Sequence, residues 1–303
     1  MAGGKNINDP NRYVMYRYQI SVPAAAIFVA LFGISSIFHI YQTWRKRSWF
    51  LIAFIIGGLF ETIGYAGRIQ SSFDQFNLSP YIMQTLLLLL GPALYAASIY
   101  MILGRLIVLT SGEKYSLVRP SWLTKIFVSG DVISFLMQGA GGGIMSTAKK
   151  NPANSKKGER IIVGGLFVQL IFFGLFVVTS ALFQRRGAHH LKSLPKEITW
   201  KKQLYALYAT STLILVRSVF RVIEYLQGNA GYLLRQEVFL YVFDAVLMLG
   251  VMVIMNVVHP GDIAIMLKEK REGGAGSDVE MSTPVEVQQS KHSREESGTS
   301  SAV

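Results

Sequence analysis

The chain contains no cysteine. No disulfide can staple an exposed domain, and no thiolate is available as a metal ligand or nucleophile, whichever compartment the loops face. Charge is scarce too: Asp, Glu, Lys and Arg make up 16% of the 303 residues, against 51% hydrophobic residues, and the mean hydropathy is +0.36. That balance is unusual for a soluble domain of this length and ordinary for a polytopic membrane protein. Catalytic signatures are missing as well. There is no Walker A sequence, serine elbow or HExxH, and "GAGGGI" (139–144) departs from the dinucleotide pattern at Ile144 and follows no strand. His189 and His190 have no partner at ligand spacing, and His39 stands alone on an apolar run. No enzyme activity, metal or other cofactor is therefore expected. The first twenty residues, with Lys5, Asp9, Arg12 and Arg17, do not resemble a cleavable signal peptide, so the first apolar run is expected to direct insertion.

Long apolar runs are what the chain has in abundance. Crossing about 30 Å of hydrocarbon takes about 20 residues, and seven stretches qualify: Val22 to Tyr41, Trp49 to Gly67, Tyr81 to Leu109, Trp122 to Ile144, Ile161 to Phe183, Leu204 to Tyr225 and Val238 to Val258. Backbone amides in lipid must be paired within their own segment, so each is predicted to be a helix. The fold class is thus all-α, a seven-transmembrane helix bundle over 21–261, with a polar segment at 1–20 and a tail at 262–303. Pro23, Pro80 and Pro120 stand at or just before helix starts, Pro260 follows the last span, and Pro92 after Gly91 is expected to kink the third. Gly57, Gly64 and Gly67 of span two, and Gly139, Gly141, Gly142 and Gly143 of span four, with Gly139 and Gly143 in GxxxG spacing, predict close helix approach.

Basic residues favour the cytoplasm. Arg45 to Arg47, Lys114, Arg119, Arg185, Arg186, Lys192, Lys196, Lys201, Lys202, Lys268, Lys270 and Arg271 outweigh, by a modest margin, Lys5, Arg12, Arg17, Arg68, Arg235 and the cluster from Lys149 to Arg160 on the other face, which puts the N-terminus outside and the C-terminus in the cytoplasm. Asn77-Leu78-Ser79 then faces outward as a glycosylation sequon, although Pro80 and a short loop disfavour its use. The tail from Asp262, with 5 basic and 8 acidic residues among Gly, Ser and Gln, reads as solvated and disordered. The net charge of +12 therefore resides in the bundle's short loops, where it suits anionic headgroups and not a nucleic acid.

The remaining charges lie inside the spans. The spacing i, i+4, i+7 recurs in Glu61, Tyr65, Arg68; Asp131, Phe135, Gln138; Arg217, Arg221, Glu224; and Glu237, Tyr241, Asp244. Each set occupies one helix face. A charge at the bilayer centre costs ~2.5 to 3.5 kcal/mol, so these faces are predicted to turn inward and pair. Glu61, Asp131 and Asp244 would nearly neutralise Arg217 and Arg221 across spans two, four, six and seven, with Arg68 and Glu224 nearer the ends. One reading is a polar pathway for a ligand or ion; the other is ion pairing that only fixes helix register. All of these residues except Phe135 are retained as candidate substrate-binding or translocation residues.

"FETIGYAGR", "GPALYAASIYMILGRLI", "DVISFLMQGAGGG", "RSVFRVIEYLQGNAGYLLRQEVFLYVFD" and "HPG" closely resemble the fungal RTA-like proteins, the lipid-translocating exporter family, over about residues 20 to 262. The resemblance implies a seven-span fungal protein of the plasma membrane or an endomembrane. It also implies a role in export, movement or tolerance of amphiphiles such as sphingoid bases, sterol derivatives or porphyrins. It carries no residue roles. The expected partners are membrane lipids and an amphipathic small molecule, with room for a homo-oligomer. The alternative, a seven-span receptor or stress sensor, fits the topology but lacks the acidic-Arg-Tyr triplet after span three, NPxxY, and a retinal-binding lysine in span seven.

Overall fold

Helix starts fall where the sequence removes or caps a backbone donor. The computed structural model describes residues 16, 18–74, 77–146, 153–195, 200–227 and 231–280. In it, α1 (Val22–Arg45) has Pro23 in its first turn. After α2 (Ile52–Phe73), α3 (Leu78–Leu109) begins behind the Asn77 carboxamide, which accepts from the Ser79 N–H at 3.1 Å. Pro120 itself opens α4 (Pro120–Ser146). Each start has lost or satisfied a donor that would otherwise be orphaned. Next come α5 (Ala153–Arg186), the short α6 (Ala188–Lys192) and α7 (Trp200–Leu226). The seventh rod is composite: α8 (Glu237–Leu240) passes into a π-helical stretch, Tyr241–Val246, and then α9 (Leu247–Val257).

Among the described residues, six helical segments are long and apolar enough to cross a membrane by length and composition alone. The other rod, α4, has 27 residues, about 40 Å at helical rise, and is diluted by Lys125, Asp131, Gln138 and glycine. The protein is an all-α membrane protein whose seven rods match the seven spans expected. Consecutive rods lie side by side, α9 returns to α1, and α3 reaches across to α7. That crossing makes α3 the central helix, with 61% of its apolar window buried against 22% for α1. Inside, the rings of Tyr100, Phe127, Phe173 and Phe176 pack tilted or edge-on between α3, α4 and α5, and Met248, Met252 and Met255 of α9 join the same core. Outward faces show Ile34, Ile37, Leu136, Val253 and Val257, as a lipid-contacting surface must.

Two packing details depart from the sequence reading. A Cβ at Gly139 or Gly143 would meet nothing within 4 Å, whereas one at Gly141 would sit 2.7 Å from the Gly158 carbonyl. The close approach of α4 and α5 therefore runs through Gly141 and Gly158, because these are the glycines that face the partner backbone. The second detail concerns the boundary drawn at residue 262. A helix, α10 (Gly261–Glu280), begins there. Ile263 is buried, Asp262 binds Lys46 at 2.5 Å, and Lys270 donates to the Leu109 carbonyl at 3.1 Å and to Ser111 at 2.6 Å. Residues 281–303 of the expected disordered tail, and 1–15 and 17 of the polar N-terminal segment, lie outside the described residues.

Candidate functional site

Arg68 is the most thoroughly enclosed charge, 0% exposed near the C-terminal end of α2. Its Nη2 donates to Glu237 at 2.8 Å and to the Tyr18 hydroxyl at 2.7 Å, and its Nε donates to the Tyr241 hydroxyl at 3.3 Å. The Ser21 N–H donates to both Glu237 oxygens, at 3.1 and 3.0 Å. The segment before α1 is therefore clamped onto α2 and the seventh rod by one guanidinium and one carboxylate. Burial raises the Tyr18 phenol above the ordinary tyrosine value despite the pull of Arg68, so it stays neutral. A turn away, Arg221 donates to Glu224 at 2.7 Å and lies over the Tyr225 ring.

The third pair depends on a proline. In a helix the N–H of residue 92 would bond to the carbonyl of residue 88, but Pro92 has no N–H. Arg217 takes the vacant acceptor: its Nη2 donates to the Leu88 carbonyl at 2.8 Å while its Nε donates to Asp244. Asp244 belongs to the π-helical stretch, a winding frequent at functional sites. The neighbouring glycine has its own consequence. A Cβ at Gly91 would fall 2.7 Å from a Glu61 oxygen, so the missing side chain leaves that carboxyl its present place. Glu61 is 1% exposed, and neither of its oxygens has a hydrogen-bond partner among the described residues. Its charged neighbours are Asp244 and Arg217.

A cleft of about 80 Å³ opens at this end of the bundle, roughly the room of two or three waters. Tyr18, Arg68, Gln84, Leu88, Arg221, Glu224 and Asp244 line it, together with Leu233, Leu234 and Gln236 of the segment before α8. Both signs of charge thus face one small space, and Glu61 is not among its lining residues.

Asp131 and Gln138 do not join this group. The expected balance of three acids against two arginines across four spans is corrected to Arg217 and Asp244 with Glu61 beside them. The reason is packing: α4 lies against α5 and α3. There Asp131 accepts from the Tyr100 hydroxyl at 3.0 Å, Ser134 donates to the Gly165 carbonyl at 2.7 Å, and Gln138 reaches Ser134 at 2.7 Å and Gln169 at 3.5 Å. Tyr65 stacks on Phe32 and lies near Glu61 and Arg68. Sequence reasoning missed Tyr18, Gln84, Gly91 and the Leu88 carbonyl, and of these only the last carried a signal, the proline four residues on. It also missed a neutral cluster at the opposite end, where His39 bonds Asn256 at 2.7 Å, the Gly261 N–H donates to His259 at 3.0 Å, and the two imidazoles lie 4.8 Å apart.

Comparison with known proteins gives one consistent answer. Residues 54–266 match the model of the family described as RTA1 like protein. The chain is 37% identical over 283 residues to Protoporphyrin uptake protein 1 of Saccharomyces cerevisiae, covering 81% of this chain and 91% of that protein. It is 32% identical over 274 residues to the Probable lipid transporter atnI of Emericella nidulans, covering 83% and 68%. To the Sphingoid long-chain base transporter RSB1 of Saccharomyces cerevisiae it is 24% identical over 267 residues, covering 77% and 70%. No solved structure matches.

Proposed function

Because the chain belongs to the RTA1-like family, we propose that it is a membrane translocator of amphipathic, lipid-like molecules and not an enzyme. Relatives named as a lipid transporter and a sphingoid long-chain base transporter support membrane lipid transport at the level of the family. The observation that carries the reading for this chain is the cleft, where Arg68, Arg221, Glu224 and Asp244 gather inside a bundle whose outer faces are apolar. A bilayer keeps polar groups off its helices unless they are paired or line a path for something polar. Here three ion pairs and Glu61, which has no hydrogen-bond partner among the described residues, cluster toward one end. A headgroup entering there meets charge, while its tail stays in the hydrocarbon alongside the helices. In this reading the cleft opens outward, the C-terminus is cytoplasmic, and the protein resides in the plasma membrane or an endomembrane.

The test is reconstitution. Purified full-length protein in phospholipid vesicles is expected to move a labelled long-chain base between leaflets faster than protein-free vesicles do, and R221A is expected to slow that movement. Equal rates with and without protein, for a base, a sterol derivative and a porphyrin alike, would overturn the reading.

A further inference from the structure

The three arginines of the cleft region each have a carboxylate of their own: Arg68 has Glu237, Arg217 has Asp244 and Arg221 has Glu224. One acid is left over. Glu61 is buried beside Arg217 and Asp244, with Gly91 on α3 giving it room and the phenols of Tyr65 on α2 and Tyr95 on α3 next to it. Both phenol oxygens and both Glu61 oxygens lack hydrogen-bond partners among the described residues. Arg217 is already committed to Asp244 and the Leu88 carbonyl. A second bare carboxylate at this place would be an uncompensated buried charge, which costs several kcal/mol.

Resting on the translocator reading, we propose that Glu61 is a proton-exchanging cation site: it holds a proton in this state and releases it when the ammonium head of a long-chain amine takes the place beside it. The balance closes. Before entry the site holds the Arg217 cation, the Asp244 anion and a neutral acid; afterwards it holds the same pair, a carboxylate and an ammonium. One cation has entered and one proton has left through the cleft, so no net charge is buried. Asp244 lines the cleft and is a charged neighbour of Glu61, and lying on the π-helical stretch it is the group that shifts to let the head pass. This assigns the ligand class of the site as a cationic amine in preference to a phosphate, since the guanidinium charges are neutralised and the spare group is an acid.

The experiment binds a long-chain primary amine to the purified full-length protein at about pH 6, where the free amine is already charged. Calorimetry in two buffers of different ionisation enthalpy counts the protons. The wild type is expected to release one proton per amine bound. E61Q, close in shape to the protonated acid, is expected to release none and to bind roughly 10- to 100-fold more weakly, the worth of one charge-assisted hydrogen bond. E61D, which keeps the carboxyl, restores the release. A lipid-free readout accompanies these: the infrared difference between wild type and E61Q, in which the carbonyl stretch of a protonated Glu61 remains while any contribution of Asp131, also buried among neutral partners, cancels. Amine binding without proton release, absence of that difference band, or tighter binding of a long-chain phosphate than of the amine would each overturn the proposal and leave the translocator reading standing. A wild type that neither binds nor moves any amphiphile would remove both.

Discussion

Two parts of the bundle use the same sequence spacing to different ends. Where α2, α3, α7 and the seventh rod meet, inward-facing positions at i, i+4, i+7 supply charges that find opposite charges on another rod or one turn away. Where α4 meets α5, the positions Asp131 and Gln138 find only neutral partners, Tyr100, Ser134 and Gln169. The rods there are held by backbone approach at Gly141 and Gly158. One region is stabilised by electrostatic pairing and the other by steric fit, so a single lost group should cost most in the first. The difference teaches that spacing decides which way a side chain faces, while the neighbouring helix decides what it does.

The sharpest way to break the comparison is D244A, which strips the buried Arg217 of its carboxylate and is expected to destabilise the protein by about 3–5 kcal/mol, read as a lowered thermal unfolding midpoint in detergent. R68A follows at about 2 kcal/mol, the scale of a hydrogen bond to a charged group, with faster proteolysis before α1 because Tyr18 loses its donor. In the steric region G141A is expected to cost about 1–3 kcal/mol by overpacking, since its methyl meets the Gly158 carbonyl at 2.7 Å. D131N should stay within about 1 kcal/mol of wild type, as it changes one phenol hydrogen bond. G142A, facing open space, should fall within about 0.5 kcal/mol. If D131N matches D244A, or G142A matches G141A, the division between the two regions fails.

Much of this was legible in the sequence. Apolar runs and prolines marked the spans, because length and a missing donor are local properties. The helical spacing told that Glu61, Arg68, Arg217 and Asp244 face inward, because an unpaired charge facing lipid is costly. What stayed hidden was which rods touch. Asp131 shares the pattern of Glu61, yet α4 lies on α5 and α3, and no spacing within one helix reports that. The glycines illustrate the same limit: Gly139 and Gly143 have the textual motif, while Gly141 makes the contact. Composition also ended the bundle too soon, since Asp262 and Lys270 anchor α10 through polar contacts that resemble an ordinary solvated tail.

The absent N–H of Pro92 has a mechanical consequence. Along α3 the rung between residues 88 and 92 is supplied from outside, by a side chain of α7. The central rod is then only as stiff at that point as Arg217 is stationary. Any event that draws the guanidinium away takes a strut out of the helix around which the others are arranged, so a shift in one ion pair becomes a change in the flexure of the whole bundle.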